Sequence, residues 1–146
     1  MNESDTGRIW KKKVDLAALN RFADGSMVSH VGIEYLEIGD DFIRARMPVD
    51  ARTKQPFGLL HGGASLVLAE TLGSTAAHLC VDEDRICVGI EINANHVRQA
   101  KSGHVVGTTR PLHTGGTIHV WETEIRDEED RLVSVGRITL AVLDRQ

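Results

Sequence analysis

The segment from Gly62 to Leu79 narrows the folds open to this chain more than any other part of the sequence. Its residues, GGASLVLAETLGSTAAHL, favour a helix, and Glu70 is the single acidic residue among them. A helix with almost no charged face is usually buried in a protein core rather than laid on a surface. We therefore predict a long central helix that the rest of the chain encloses.

The remaining segments predict a sheet around this helix. Partly alternating or long β-like runs, separated by turn residues, indicate strands at 27–38, 42–49, 86–95, 104–112, 117–126 and 132–143. A short helix at 15–22 precedes them, and residues 50–60 form a loop bent by Pro56 and Gly58. The order α, β, β, α, β, β, β, β predicts an α+β fold in which an antiparallel sheet wraps one long helix.

Size and charge restrict the class of protein. A chain of 146 residues fits a single domain, which we place at residues 9–146 behind a loose polar tail at 1–8. The net charge of −4 argues against a nucleic-acid partner, and the basic run at 11–13 is typical of a solvated segment. Without a signal peptide or an apolar stretch long enough to span a membrane, we expect a cytoplasmic protein with no membrane partner.

Cysteines and most histidines carry no recognisable pattern. Cys80 and Cys87 lack the spacing of a zinc or redox motif, so we predict free buried thiols and no metal site. The sequence also lacks a GxSxG, a Cys–His signature or an HExxH motif. Five histidines share no spacing and are interpreted as scattered surface or core residues: His30, His78, His104, His113 and His119.

Glu70 is the strongest candidate for a catalytic group. A carboxylate among apolar neighbours lowers stability unless it has a partner or performs chemistry. Ser74 lies one helical turn later on the same face, so the two side chains could hold a water or an acyl carbonyl between them. The alternative is that Glu70 occupies a narrow solvent-exposed strip or pairs with a buried group.

Gly62 and Gly63 open the central helix directly after His61. The first backbone N–H groups of a helix have no partner within it, and the helix dipole favours negative charge there. Without side chains, this end can approach a substrate carbonyl closely and stabilise its oxyanion. The alternative is that the two glycines only let the helix pack tightly on the sheet.

Geometry separates these two candidates. Glu70 comes eight positions after Gly62, which places the two residues roughly 12 Å apart along a helix. One helix therefore cannot bring both to the same carbonyl. If both act, the helix start comes from one subunit and the glutamate from another, which predicts sites at the interface of a two-fold dimer.

Two longer segments carry a resemblance to a known family. PVDARTKQPFGLLHGGASLVLAETLGS, at 48–74, and GIEINANHVR, at 89–98, closely resemble the hotdog-fold acyl-CoA thioesterases. The chain looks most like the branch that contains the 1,4-dihydroxy-2-naphthoyl-CoA thioesterase of menaquinone biosynthesis, the enterobactin proofreading thioesterase and one type of 4-hydroxybenzoyl-CoA thioesterase. The likeness extends from about residue 9 to residue 143.

The resemblance implies a fold, an assembly and a set of site residues. It implies a hotdog fold, a dimer with a continuous sheet, and two such dimers in a homotetramer. Glu70 matches the catalytic carboxylate, acting as nucleophile or as general base, and Gly62 matches the backbone donor to the thioester oxygen. The resemblance also implies supporting roles for Gln55, His61 and Ser74, and Gly63 joins the substrate-binding helix start.

His96 and Arg98 are the candidates for binding the substrate's phosphates. If they alternate on one strand, both face the same side, and the resemblance places this region beside the coenzyme A nucleotide. The alternative is a solvated strand end. We expect coenzyme A as part of the substrate, with no separate cofactor, although an acyl-carrier-protein thioester stays open.

The sequence thus predicts hydrolysis of an acyl-CoA thioester with an aromatic or small acyl group. Two other functions stay open. A hotdog hydratase or dehydratase would use His61 and Glu70 as its acid and base, and a non-catalytic module would only bind the acyl thioester. Thiol release, water addition to an enoyl thioester, or binding without turnover distinguishes the three.

Overall fold

The computed structural model describes residues 7–146, which form three helices and six strands. The helices are α1 (Leu16–Ala23), α2 (Met27–His30) and α3 (Gly62–Leu79). The strands are β1 (Glu34–Ile38), β2 (Ile43–Pro48), β3 (Arg85–His96), β4 (His104–Thr114), β5 (Ile118–Arg126) and β6 (Leu132–Asp144). No helix in this part of the chain is both long enough and apolar enough to cross a membrane.

All six strands form one antiparallel sheet in the order β1-β2-β4-β5-β6-β3. Helix α3 packs across this sheet and touches β2, β3, β4, β5 and β6. The core between them is apolar and includes Leu68, Leu72, Trp121, Ile138 and Leu140, each no more than 1% exposed. This α+β arrangement of one long helix on an antiparallel sheet confirms the predicted hotdog fold.

Helix and sheet approach each other closely at Gly73. A Cβ atom at this position would overlap Cγ2 of Ile138 on β6. The side chain of Leu72 reaches Gly107 on β4 in the same way, within 2.8 Å of where a Cβ would stand. Glycines in the helix and in the sheet therefore determine how closely α3 packs on the strands.

The N-terminal part of the chain differs from the prediction in one element. Helix α1 forms as expected, with Asp15 as its N-cap accepting a hydrogen bond from Ala18 N at 2.7 Å. The strand predicted at 27–38 is wrong over its first half, because Ser26 caps a short helix, α2, with its hydroxyl accepting from Val28 N. Gly32 then redirects the chain with a φ of +80°, and the strand starts at Glu34.

Two expectations concern the start of the chain. Of the tail at 1–8, residues 1–6 lie outside the described residues, and Gly7 and Arg8 are exposed. The basic run at 11–13 is not solvated throughout, because Lys12 is only 8% exposed and its Nζ donates to Arg85 O at 2.9 Å. Of the two free cysteines, Cys80 is buried as predicted and Cys87 is half-buried.

Candidate active site

The start of α3 opens into a cavity of ≈ 690 Å³, called the Gly62 cavity here. It brings together Gln55, Gly62, His96 and Arg98, four of the residues that the sequence singled out. The remaining wall includes Leu59, Leu60, Ser65, Val97, Gln99, Lys101, Arg131 and Val133. Residues from the loop before α3, the start of α3 and the ends of β3 and β6 therefore share one site.

His61 is the N-cap of α3, and its imidazole ring makes the capping hydrogen bond. Its Nδ1 accepts a hydrogen bond from Gly63 N at 2.8 Å. A ring nitrogen that accepts carries no proton, so the neutral imidazole carries its proton on Nε2. His61 can therefore cap the helix and still offer an Nε2–H donor to a ligand.

Because of this cap, only one of the two glycine N–H groups expected to be free has no partner among the described residues. Gly63 N–H is occupied by His61, whereas Gly62 N–H donates no hydrogen bond to another group within residues 7–146. The end of α3 thus presents the Gly62 amide and the positive end of the helix dipole to the cavity. Gly63 supports the site through the cap rather than through a free amide.

His96 lies directly against Gly62. A Cβ atom on Gly62 would stand 2.7 Å from His96 Nε2, so the imidazole would have to shift to make room for a larger residue. The other ring nitrogen, Nδ1, is 3.2 Å from Ser134 Oγ, which orients the imidazole. Arg98 does not lie on the strand as predicted, because β3 ends at His96 and Arg98 follows in a bend, but both line the same cavity.

Gln55 is held at the rim of this cavity by a tight turn. Its Oε1 accepts from Phe57 N, and its backbone carbonyl accepts from Gly58 N at 2.9 Å. Gly58 has a φ of +84°, which a residue with a side chain rarely adopts. The turn keeps Gln55 half-buried beside Gly62 and leaves Phe57 90% exposed.

Glu70 and Ser74 lie in a second cavity of ≈ 730 Å³, called the Glu70 cavity here. Helices α1 and α2 and strand β1 contribute an apolar wall that includes Leu19, Phe22, Ala23, Val28 and Tyr35. Thr71, Thr75, His78 and Leu79 of α3, with Ser26 and Arg145, complete it. The hydroxyl groups of Tyr35 and Thr75 are 2.7 Å apart in a hydrogen bond on its wall.

Glu70 is exposed in the single chain, which agrees with the alternative of a solvent-exposed strip rather than with burial among its apolar neighbours. Its apolar neighbours Leu68, Ala69 and Leu72 are at most 3% exposed and pack toward the sheet. Glu70 itself leans toward β3, and its Oε1 is 3.0 Å from the point where a Cβ on Gly89 would stand. Gly89 therefore makes space for the carboxylate beside the strand.

The single chain does not bring Gly62 and Glu70 together. Each borders a different cavity, and each lies beside β3, Gly62 against His96 and the Glu70 carboxylate near Gly89. Strand β3 is an edge of the sheet, and it exposes Val88 by 39% and Ile90 by 59%. A long edge strand with exposed apolar side chains is a surface that pairs with another strand.

Sequence reasoning missed several cavity residues. Tyr35, the single tyrosine of the chain, is 6% exposed and lines the Glu70 cavity. A lone tyrosine on the inward side of a strand was its only signal. Lys101 and Arg131 of the Gly62 cavity had no signal, because they come together only when the ends of β3 and β6 meet.

A hotdog core, with a glycine-started central helix and a glutamate two turns further along it, defines a thioesterase of the hotdog class. A family model for the thioesterase superfamily matches residues 57–134. The 1,4-dihydroxy-2-naphthoyl-CoA hydrolase of Escherichia coli is 55% identical over 92% of this chain and 99% of its own length. The proofreading thioesterase EntH of Cronobacter turicensis is 50% identical over 92% of this chain and 98% of its own length.

Solved structures agree with these relatives. The crystal structure of a thioesterase from Haemophilus influenzae superposes with a TM-score of 0.92 at 50% identity, over 93% of this chain and 95% of that one. A variant of a thioesterase from Pseudomonas aeruginosa superposes with a TM-score of 0.91 at 44% identity, over 93% and 99%. The chain belongs to the thioesterase superfamily and is an enzyme that hydrolyses acyl-CoA thioesters, rather than a hydratase or a binding module.

Proposed function

We propose that two copies of this chain pair through β3 and hydrolyse an aromatic acyl-CoA, each site using Gly62 of one copy and Glu70 of the other. The observation that carries this proposal is that the two groups border different cavities, yet both lie beside the same edge strand, at Gly89 and at His96. Neither cavity alone contains both an oxyanion donor and a carboxylate.

A two-fold axis explains how the halves meet. Glu70 contacts β3 at Gly89, and Gly62 contacts it at His96, seven residues further along. If two β3 edges pair antiparallel about an axis between these positions, Gly89 of one copy lies close to His96 of the other. Glu70 of one copy then faces Gly62 of the partner subunit, which also removes Glu70 from bulk solvent.

The groups at this composite site suit thioester hydrolysis. The Gly62 N–H and the helix dipole stabilise negative charge on the thioester oxygen, and the His61 Nε2–H is a second donor. Glu70 either takes a proton from water as hydroxide attacks the carbonyl carbon, or attacks that carbon itself to form an anhydride that water then cleaves. In both routes the C–S bond breaks and the thiol leaves with a proton, while Gln55 and Ser74 orient the thioester and the carboxylate.

The Glu70 cavity suits an aromatic acyl group. Its wall is mostly apolar, and the hydrogen-bonded hydroxyls of Tyr35 and Thr75 give it one polar position. The E. coli relative is named for 1,4-dihydroxy-2-naphthoyl-CoA, a bicyclic aromatic thioester with two hydroxyl groups. We therefore propose a hydroxylated aromatic acyl-CoA as the substrate, with coenzyme A as the released product and no separate cofactor.

Mixed dimers test the shared site directly. Glu70→Gln removes the carboxylate and Gly62→Pro removes the amide donor, so each variant alone should be inactive. In a mixed dimer one site combines the two intact halves, and random mixing of equal amounts should restore about one quarter of wild-type thiol release. Absence of any recovery, with mixed dimers verified by mass spectrometry, would show that each chain carries its own complete site.

A further inference from the structure

The Glu70 cavity follows one face of α3. The helix residues that line it recur at the spacing of a single helical face: Glu70, Thr71, Ser74, Thr75, His78 and Leu79. Helices α1 and α2 and strand β1 form the opposite wall. An acyl group whose carbonyl lies at Glu70 therefore extends along α3 toward the C-terminal end of this helix, where His78 lies.

His78 is half-buried at this end of the cavity, and Lys12 lies against its ring. The Nζ atom of Lys12 is 3.5 Å from Nδ1 and 3.3 Å from Nε2 of His78. Because these two distances are nearly equal, the ammonium group does not lie along the lone-pair or N–H direction of either ring nitrogen. The imidazole therefore keeps its hydrogen-bonding capacity for another group.

Lys12 is fixed to the C-terminal end of α3. The backbone N–H groups of Lys11 and Lys12 both donate to Leu79 O, at 2.8 and 3.1 Å, and Nζ of Lys12 donates to Arg85 O at 2.9 Å. The Lys12 residue is only 8% exposed, and the negative end of the α3 dipole favours a cation at this place. The ammonium group thus limits the positions that the His78 ring can adopt.

The protonation state of His78 suits a neutral polar ligand. Burial, followed by the charges of Lys12 and Arg145, lowers the pKa of His78 below its usual 6.5. Near pH 7 the ring is neutral and carries one N–H donor and one free lone pair. A phenolic hydroxyl can accept from the first or donate to the second, whereas an apolar group would leave both without a partner.

The spacing along α3 matches the length of a hydroxylated aromatic acyl group. His78 follows Glu70 by eight residues, or roughly 12 Å along the helix, and both side chains lean toward the helix N-terminus alike. Subtracting about 3 Å between the carboxylate and the carbonyl carbon, and about 3 Å for a hydrogen bond to His78, leaves about 6 Å. This is the distance across a benzene ring from a carbonyl carbon to a hydroxyl oxygen on the opposite ring carbon.

We propose that His78, positioned by Lys12, sets the acyl specificity of the enzyme by forming a hydrogen bond with a hydroxyl group at the distal end of an aromatic acyl group. This inference rests on the proposed function, because the thioester carbonyl must lie at Glu70 for the ring to extend along the cavity. Lys12 is a positioning residue, since it acts through the imidazole. The hydrogen-bonded pair of Tyr35 and Thr75 is nearer to Glu70 and lies beside the ring rather than at its end.

Two thioesters that differ by a single hydroxyl group test this contact: 4-hydroxybenzoyl-CoA and benzoyl-CoA. For the wild type, kcat/KM should favour the hydroxylated thioester by about tenfold. His78→Phe is similar in size but has no ring nitrogens, so it should bring this ratio to about one by lowering kcat/KM for the hydroxylated thioester alone. His78→Gln keeps a donor and an acceptor and should retain part of the preference. Both rates come from one preparation, so a loss of folded protein does not change their ratio.

Lys12→Met tests the positioning role. It keeps an unbranched side chain but removes the ammonium group, so the imidazole gains freedom and the ratio should fall by about threefold. A purely structural role of Lys12 would lower the rates on both thioesters equally. His30→Phe is the matched control and should leave the ratio unchanged, because His30 is exposed on α2 and does not line the Glu70 cavity.

An unchanged ratio in His78→Phe, or equal losses on both thioesters, would overturn the inference. The same conclusion would follow if Tyr35→Phe abolished the preference and His78→Phe preserved it, since the hydroxyl would then lie at Tyr35.

Binding without turnover separates this inference from the proposed function. Phenacyl-CoA and 4-hydroxyphenacyl-CoA have a methylene between the carbonyl and the sulfur, so they are not hydrolysed, and calorimetry gives their Kd values. Tighter binding of the hydroxylated compound that depends on His78, in a protein that releases no thiol, would refute only the proposed hydrolysis. Normal thiol release, with wild-type Kd values for both compounds in His78→Phe, would refute only the role of His78.

Discussion

Gly62 and Glu70 lie on the same helix, yet Gly62 borders the cavity that contains His96, and Glu70 borders the cavity that contains Tyr35. A helix rises roughly 1.5 Å per residue, so the two groups cannot converge on one atom within a chain. Strand β3 contacts both of them and has a free edge. This separation is the reason for our proposal that a second copy completes the site.

Glu70→Gln should reduce kcat for thiol release by at least about a thousandfold, because the amide can neither attack the carbonyl nor accept a proton from water. The melting temperature should stay close to that of the wild type, since the side chain is exposed in the single chain. Glu122→Gln, on the other side of the sheet and paired with Arg137 at 3.7 Å, is the matched control and should keep full activity. Comparable rates for Glu70→Gln and the wild type would remove Glu70 from the mechanism.

Gly62→Pro should remove one hydrogen bond to the thioester oxygen while leaving α3 intact. His61 has a φ of −68° and a ψ of 133°, the extended conformation that a residue before proline prefers, and proline is well tolerated at the first helical position. We expect kcat to fall by about a hundredfold to a thousandfold.

Gly62→Ala is the control for this substitution. Its Cβ meets His96 at the same place as the proline ring, but the alanine keeps its N–H. If steric contact with His96 were the whole effect, the two variants would lose activity equally. A clear gap between them in steady-state kcat, measured on the same acyl-CoA, isolates the contribution of the amide.

Much of the fold was predictable because its long elements have a strong pattern. Helix α3 and strands β4, β5 and β6 form within two residues of their predicted bounds. The short helix α2 did not follow its pattern, since it depends on the Ser26 cap and on the positive φ of Gly32 rather than on apolar alternation. The burial of Lys12 depends on a carbonyl of Arg85, 73 residues away, which no local pattern reveals.

The sequence predicted which candidate residues come close together better than it predicted the surroundings of each. Gln55, Gly62 and His96 share a cavity as the motifs suggested, yet the Gly63 amide is occupied because His61 turns back onto it. Apolar neighbours of Glu70 indicated burial, but they pack on the sheet while Glu70 follows the open edge. Which surface covers a side chain depends on tertiary and quaternary contacts, and these lie beyond its sequence neighbours.

Gly73→Ala should destabilise the fold through overpacking. The added methyl overlaps Ile138 between α3 and β6, where neither layer can move freely. We expect the free energy of unfolding to drop by about 1 to 3 kcal/mol, despite the better helix propensity of alanine. Gly116→Ala is the control, because a Cβ there would meet nothing within 4 Å, and it should change the urea midpoint of unfolding little. Equal midpoints for the two variants would contradict close packing of α3 on β6 at Gly73.

Acid should weaken the fold through two histidines. Burial lowers the pKa of His119, which is 2% exposed and accepts from Trp121 Nε1 at 3.3 Å. Burial, assisted by the charge of Lys12, also lowers the pKa of His78 from its usual 6.5. Below pH 6.5 the unfolded chain binds protons that the folded chain does not, so stability is complete above this pH and declines as the pH falls toward the folded pKa values.

His119→Gln should reduce this pH dependence, because it removes one group that the unfolded chain protonates. The slope of unfolding free energy against pH should decrease by up to about 1.4 kcal/mol per pH unit just below pH 6.5. Urea titrations between pH 4.5 and pH 8 measure it. His30→Gln, on an exposed residue, serves as the control and should leave the slope unchanged; an unchanged slope in His119→Gln would mean that His119 is protonated in the folded protein as well.

Ile90→Lys should separate the two copies and, with them, the two halves of the site. Ile90 is 59% exposed on the free edge of β3, where a paired strand would have to bury the new ammonium group. We expect light scattering to report a monomer at micromolar concentration, with the secondary structure of the wild type. Thiol release should fall in proportion to the fraction of protein that no longer forms dimers. Leu112→Lys, 52% exposed on β4 in the interior of the sheet order, is the matched control and should leave β3 pairing intact. A monomeric Ile90→Lys protein that still releases thiol at the wild-type rate would mean that one chain suffices for catalysis, because no partner would remain to supply Glu70.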